Sequence, residues 1–213
     1  MDPFTLLLDF LIHLDQYLGA LIQTYGLWVY AILFLIISLE TGLVIMPFLP
    51  GDSLLFVAGT FAALGALDLL TLFILLAAAA VAGDALNYWI GYHMGPKVFK
   101  GTRLFKKEYL DRAERFYERH GRMTIFIARF LPIIRTFAPF VAGMGKMKYR
   151  NFAIYNVLGG LTWVALFLFG GFFFGSIPVV RENFALVIIG IIIASFVPPA
   201  IEYARHKRKH KKE

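Results

Sequence analysis

The sequence contains no cysteine, which excludes disulfides, thiolate metal sites and a cysteine nucleophile. Charge is scarce too. Only 16% of the 213 residues are Asp, Glu, Lys or Arg, while 59% are apolar. Ordinary soluble domains hold about 45–50% apolar residues even with glycine counted. The composition therefore excludes a disordered chain and argues against a soluble globule. Positive charge is missing from the whole first part, with no Lys or Arg before Lys97. With neither a basic n-region nor a small-residue cleavage site, no secretory signal is expected.

What is present is a strong asymmetry. All 21 bases lie from Lys97 onward, and the seven acids before it (Asp2, Asp9, Asp15, Glu40, Asp52, Asp68 and Asp84) face no base. A nucleic-acid binder is also basic, but here the bases fall in short blocks between long apolar runs. That pattern is the signature of cytoplasmic loops in a polytopic membrane protein, and no nucleic-acid partner is expected.

Residues 1–26 read as an amphipathic N-terminal helix at the membrane surface, since Asp9, His13 and Gln16 fall four and three apart. Residues 27–95 read as a first repeat. Leu27–Leu39 runs into Glu40, a break follows at Pro50 and Gly51 beside Asp52, Ser53–Leu67 is apolar again, and Leu69–Tyr92 is long enough to span. A span needs about 20 apolar residues, and a Pro-Gly break at that depth must be covered by protein or water. A broken or re-entrant hairpin satisfies both conditions. Residues 96–122 hold nine bases and an apolar stripe of Phe105, Tyr109, Ala113, Phe116 and Tyr117. They read as a basic cytoplasmic amphipathic helix with acid-to-base pairs four apart.

Residues 123–177 read as a second repeat. Met123–Gly145 carries Arg129, Pro132, Arg135 and Pro139 and has basic residues at both ends, so it should enter and return, with the prolines as its breaks. Phe152–Ile177 then spans outward. Residues 178–203 supply an outer turn and a final span, and 204–213 a basic cytoplasmic tail. Trp28, Trp89 and Trp163 are expected to mark interfaces.

An internal similarity supports the two repeats. Phe48-Leu-Pro followed by Phe56-Val-Ala-Gly59 matches Phe130-Leu-Pro followed by Phe140-Val-Ala-Gly143. Each precedes a span ending in a Gly-x-x-x-Gly pair, Gly91/Gly95 and Gly171/Gly175. Those pairs read as packing inside one fold rather than as a dimer interface, and no oligomeric state is assigned. A hairpin does not cross the bilayer and the following span crosses once, so the second hairpin must enter from the opposite side. The expected fold is an all-α polytopic membrane protein. It has two inverted repeats, each a re-entrant hairpin plus a transmembrane helix, with an amphipathic N-terminal helix and a final transmembrane helix. Inverted repeats with broken helices are typical of secondary transporters.

Glu40, Asp52, Arg129 and Arg135 fall on or beside the breaks. A charge at the bilayer centre costs on the order of 3 kcal/mol on insertion scales, so each needs a partner or water. Structural ion pairs pinning the hairpins, or charges resting at headgroup level, are the bland readings. The functional one divides roles by chemistry. Arginine stays protonated and presents a planar fork, so Arg129 and Arg135 suit an anionic phosphate. Glu40 and Asp52 can titrate and so couple protons. Asp84, Tyr88 and Asn156 are cavity-lining candidates, each equally explained by an interhelical hydrogen bond.

The ordered set Glu40, Pro50-Gly51-Asp52, Arg129-Phe-Leu-Pro-Ile-Ile-Arg135-Thr-x-x-Pro139-x-x-Ala-Gly143 and Asn156-x-x-Gly159-x-x-x-Trp163 resembles the DedA family, also called SNARE-associated or VTT-domain proteins. The resemblance covers nearly the whole chain, with Asp52 where many relatives have Glu. It implies a bacterial inner-membrane protein with two re-entrant hairpins and dependence on proton-motive force. It also implies movement of undecaprenyl phosphate or other phospholipids between leaflets, and puts the family's functional acids and arginines on Glu40, Asp52, Arg129 and Arg135.

The expected function is a proton-motive-force-dependent transporter or flippase of lipid phosphates, with membrane lipids and protons as partners and a cytoplasmic C-terminus. No metal or cofactor is expected. A small-ion or drug/proton antiporter would use the same acids without the phosphate, and a structural or chaperone-like membrane protein would need the charges only for assembly. An enzyme is not expected. Lipid phosphatase chemistry wants a positioned histidine, and His13, His93, His120, His206 and His210 all lie outside the arginine-bearing hairpin.

Overall fold

The structure, a computed structural model, describes residues 13–43, 51–101, 123–191 and 193. Outside the described residues lie the start of the expected surface helix (1–12), the bend at 44–50 with Pro50, most of the basic helix (102–122), and the end of the final span with the tail (194–213).

Every regular element among the described residues is helical: α1 Leu14–Tyr25, α2 Trp28–Gly42, α3 Gly51–Ala63, α4 Leu69–Gly101, α5 Met123–Ala128, α6 Pro132–Met144, α7 Tyr149–Phe174 and α8 Pro178–Glu182. Residues 184–191 are helical again. Within α4 and α7, Leu69–Met94 and Tyr149–Phe174 are each 26 residues of apolar helix. At 1.5 Å per residue each is about 39 Å long, enough to cross a hydrocarbon core of about 30 Å. The helices that flank the breaks are shorter, with α2 at 15 residues, α3 at 13 and α6 at 13.

The chain divides into two compact units: residues 1–29, 50–69 and 166–213, and residues 30–49 and 70–165. In the first unit α3 is buried almost all round, from Ser53 through Thr60, as a helix apolar on every face must be. It crosses the end of α7 with the backbones nearly touching. A Cβ on Gly59 would meet the Leu168 carbonyl oxygen at 2.0 Å, and one on Gly171 would meet that of Phe56 at 1.9 Å. In the second unit α6 crosses α4 in the same way. A Cβ on Gly143 would lie 2.1 Å from the Tyr88 carbonyl oxygen, and one on Gly91 2.1 Å from that of Phe140. Both copies of the Phe-Val-Ala-Gly motif thus serve one purpose, a glycine-on-glycine crossing with a long apolar helix.

The Arg129 break is local and well defined. The amides of Arg129, Phe130 and Leu131 each donate three residues back, to Phe126, Ile127 and Ala128, tightening the end of α5. Leu131 is extended (φ −114°, ψ 104°), as a residue before proline prefers, and Pro132 opens α6. Arg129 therefore sits just past the C-terminus of α5, and Arg135 lies in the first turn of α6.

Candidate functional site

Helix periodicity places Ala80, Asp84, Asn87, Tyr88 and Gly91 on one face of α4, and the second unit is built around it. Arg129 reaches this face from the α5–α6 break. Its Nη2 donates to the Asp84 carboxylate, to Asn156 Oδ1 at 3.0 Å and to the Ala80 carbonyl at 3.3 Å. Asn156 Nδ2 in turn donates to the Val81 carbonyl at 3.0 Å. Arg129 is 5% exposed, and its Nη1 has no hydrogen-bond partner among the described residues. Space for the guanidinium exists because residue 160 is glycine: a Cβ there would stand 2.7 Å from Nη1.

Arg135 makes the second ion pair, donating through Nη2 to Glu40 Oε1. Glu40 is 1% exposed and sits two residues before the end of α2. A helix C-terminus repels an acid and a helix N-terminus repels a base. Each charge is at the unfavourable end of its own helix, and each relieves the other. Between the two pairs stands Trp163, 1% exposed, its ring centroid 5.9 Å from Arg129 Cζ and 5.1 Å from Arg135 Cζ, within cation–π range of both. Thr41, Asp84, Arg129, Arg135 and Trp163 line a cavity of about 10 Å³, about the minimum for one water.

Glu40, Asp84, Arg129, Arg135 and Asn156 thus come together, with Tyr88 a turn further along α4. Tyr88 is buried, stacks on Phe152 with centroids 4.5 Å apart and donates to the Met147 carbonyl, so it packs and pins the α6–α7 turn. The partner of Arg129 is Asp84. Asp52 belongs to the first unit, in the first turn of α3, directly after Gly51. Pro139 lies inside α6 and is buried.

One residue at the site differs from its sequence reading, and a second has none. Trp163 does not mark an interface. It is buried at the middle of α7, and its place in the Asn156-to-Trp163 motif, seven residues and two turns along one face, was the available signal. Asn87 was not singled out as a site residue. Its Nδ2 donates to the Thr136 carbonyl at 2.7 Å and to the Thr41 carbonyl at 3.3 Å, tying α2 and α6 to α4. Pro139 cannot donate to the Arg135 carbonyl four residues back and so loosens that turn of α6, and the Asn87 amide binds the next carbonyl, that of Thr136. Its spacing of three from Asp84 placed it on the right face.

Apolar helices of spanning length with paired charges buried between them define a helical membrane protein. The VTT domain matches residues 49–173. The chain is 55% identical over 212 residues to protein DedA of Escherichia coli (strain K12), covering 98% of this chain and 97% of that protein. It is 42% identical over 168 residues to an uncharacterized membrane protein of Mycobacterium leprae, covering 78% and 75%. It is 38% identical over 157 residues to the inner membrane protein YghB of E. coli (strain K12), covering 73% and 72%. The chain belongs to the DedA, or VTT-domain, family of membrane proteins. No solved structure matches it.

Proposed function

We propose that this protein is a proton-coupled transporter that moves lipid phosphates, undecaprenyl phosphate or a phospholipid, across the bacterial inner membrane. The observation that carries this reading is the pair of arginines, each neutralised by an acid from another helix. A guanidinium fork occupied by a carboxylate is equally shaped for a phosphate. When phosphate takes the fork, the displaced acid is left in a dry site and takes up a proton instead of remaining charged. Phosphate on arginine and proton on carboxylate then exchange as one event. Glu40 and Asp84 are the acids in contact with the arginines, and Asp52 keeps the role that the family resemblance gives it.

The cavity supports this order of events. At about 10 Å³ it has no room for a phosphate beside the two ion pairs, so an ion pair must open to admit one. The orphaned Nη1 of Arg129 is a donor left for an added ligand or water. The re-entrant hairpins and inverted repeats belong to the same reading, supported by the repeated motif and the two matching glycine crossings. By the positive-inside rule, Lys146, Lys148 and Arg150 put the α6–α7 turn in the cytoplasm, and the tail puts the C-terminus there.

The test is leaflet exchange of labelled undecaprenyl phosphate and labelled phosphatidylglycerol in vesicles carrying the protein and a pH gradient. Arg135→Ala is expected to slow exchange at least tenfold and to remove its response to the gradient. Exchange at the wild-type rate, with the variant correctly inserted, rules out the headgroup role. A cationic substrate moved with dependence on Glu40 and indifference to Arg135→Lys would establish the antiporter instead.

A further inference from the structure

We propose that a second cavity, at the start of α7 and separate from the ion-pair cluster, binds the headgroup of an anionic phospholipid. It measures about 250 Å³ and is lined by Tyr88, Trp89 and Tyr92 from α4 and by the turn and helix start Lys146, Met147, Lys148 and Tyr149. The aromatic wall is continuous. Trp89 and Tyr149 stand 5.6 Å apart between centroids, Tyr88 and Tyr92 stack at 6.2 Å, and the Tyr88 hydroxyl holds the Met147 carbonyl.

The charge here is unbalanced. Lys146, Lys148 and Arg150 are exposed within five residues, and no Asp or Glu occurs from Met123 to Val180 or from Ala85 to Gly101. The nearest acid on α4, Asp84, is engaged by Arg129, so among the described residues the elements that form the cavity leave no carboxylate for these bases. The positive end of the α7 dipole adds to the same potential, where a helix start ordinarily attracts acids. Lys146 also holds a left-handed backbone, φ 50°, that places a lysine where glycine would be easier.

The position selects a lipid over a soluble anion. Below the cavity Leu86, Ile154, Val157 and Leu158 are exposed on helices of spanning length. Above them the bases begin. Trp89, Tyr92 and Tyr149 are partly exposed at that junction, the level where aromatic rings meet headgroups and where bases attract anionic lipid. A diacyl lipid can place its chains along the apolar faces and its phosphate on the lysines at once. The site does not depend on the transport reading.

The test uses the full-length chain, stripped of lipid in neutral detergent and titrated calorimetrically with dioctanoyl phosphatidylglycerol, dioctanoyl phosphatidylcholine or inorganic phosphate. Phosphatidylglycerol should bind at least tenfold tighter than the other two, and more weakly as salt is raised. Lys146→Gly/Lys148→Gln should weaken it at least tenfold, while Lys148→Arg and Gly190→Ala should not. The glycine suits the local backbone, so the double variant should fold, and the salt and lipid comparisons on the unaltered chain test the site without it. Equal binding of the two lipids, salt-independent binding, or an unaffected double variant each overturns the proposal.

Discussion

Asp84 shows how much a single charge depends on its neighbour. Its carboxylate lies mid-span, 45 residues before the guanidinium it meets. Removing one member of a buried pair typically costs about 3–5 kcal/mol, because the other charge is left uncompensated, whereas an apolar pair of similar volume is often neutral. Asp84→Asn should therefore destabilise the protein by about that amount, while Asp84→Leu with Arg129→Met should be milder. Reversible unfolding in bicelles checks both. The double variant should nonetheless transport nothing, which separates the assembly reading from the transport reading. Gly160 offers a subtler test. Gly160→Ala drives a methyl toward Arg129 Nη1, and leaflet exchange should fall several-fold while Gly190→Ala, with nothing within 4 Å, stays neutral.

For the helices, glycine crossings and the Asn87 bridge set the packing. Gly91→Val forces α4 off the Phe140 carbonyl. Overpacking of this kind costs about 1–3 kcal/mol, and the variant should unfold earlier by that margin. Asn87→Leu removes the side-chain hydrogen bonds to the Thr136 and Thr41 carbonyls, at about 0.5–1.5 kcal/mol each. Asn87→Asp should be worse, because the carboxylate offers two acceptors to two carbonyls. Thermal retention of the folded protein in detergent orders the three. These elements were legible in advance to different degrees. The long apolar helices and the break at Arg129 follow from run length and from Pro132. The crossings could be guessed from the Gly-x-x-x-Gly pairs, but their partners could not, since a glycine carries no signal of what will approach it.

At the scale of the whole molecule, the repeat makes a topological prediction. α3 and α6, 13 residues each, both lead through a short turn into a long apolar helix. If the repeats are inverted, the turn before α4 and the turn before α7 face opposite sides. The chain has no cysteine, so Asp68→Cys and Lys148→Cys can be labelled one at a time with an impermeant maleimide. Asp68→Cys should react from outside intact cells, and Lys148→Cys only after permeabilisation. Labelling of both from one side removes the inverted arrangement.

Run length, charge distribution and proline placement determined from the sequence alone that the chain is helical, apolar enough for a membrane and broken at its arginines, because each of these is a local property of the backbone or of burial. Which acid meets which arginine was decided only by tertiary structure. Asp52 stood out beside Pro50-Gly51, yet Arg129 pairs with Asp84 and Asn156, and Trp163 lies between the two guanidinium groups rather than at an interface. Ion pairing depends on a few ångströms of separation across helices remote in sequence, and helical period gives the face of a residue without giving the helix that faces it.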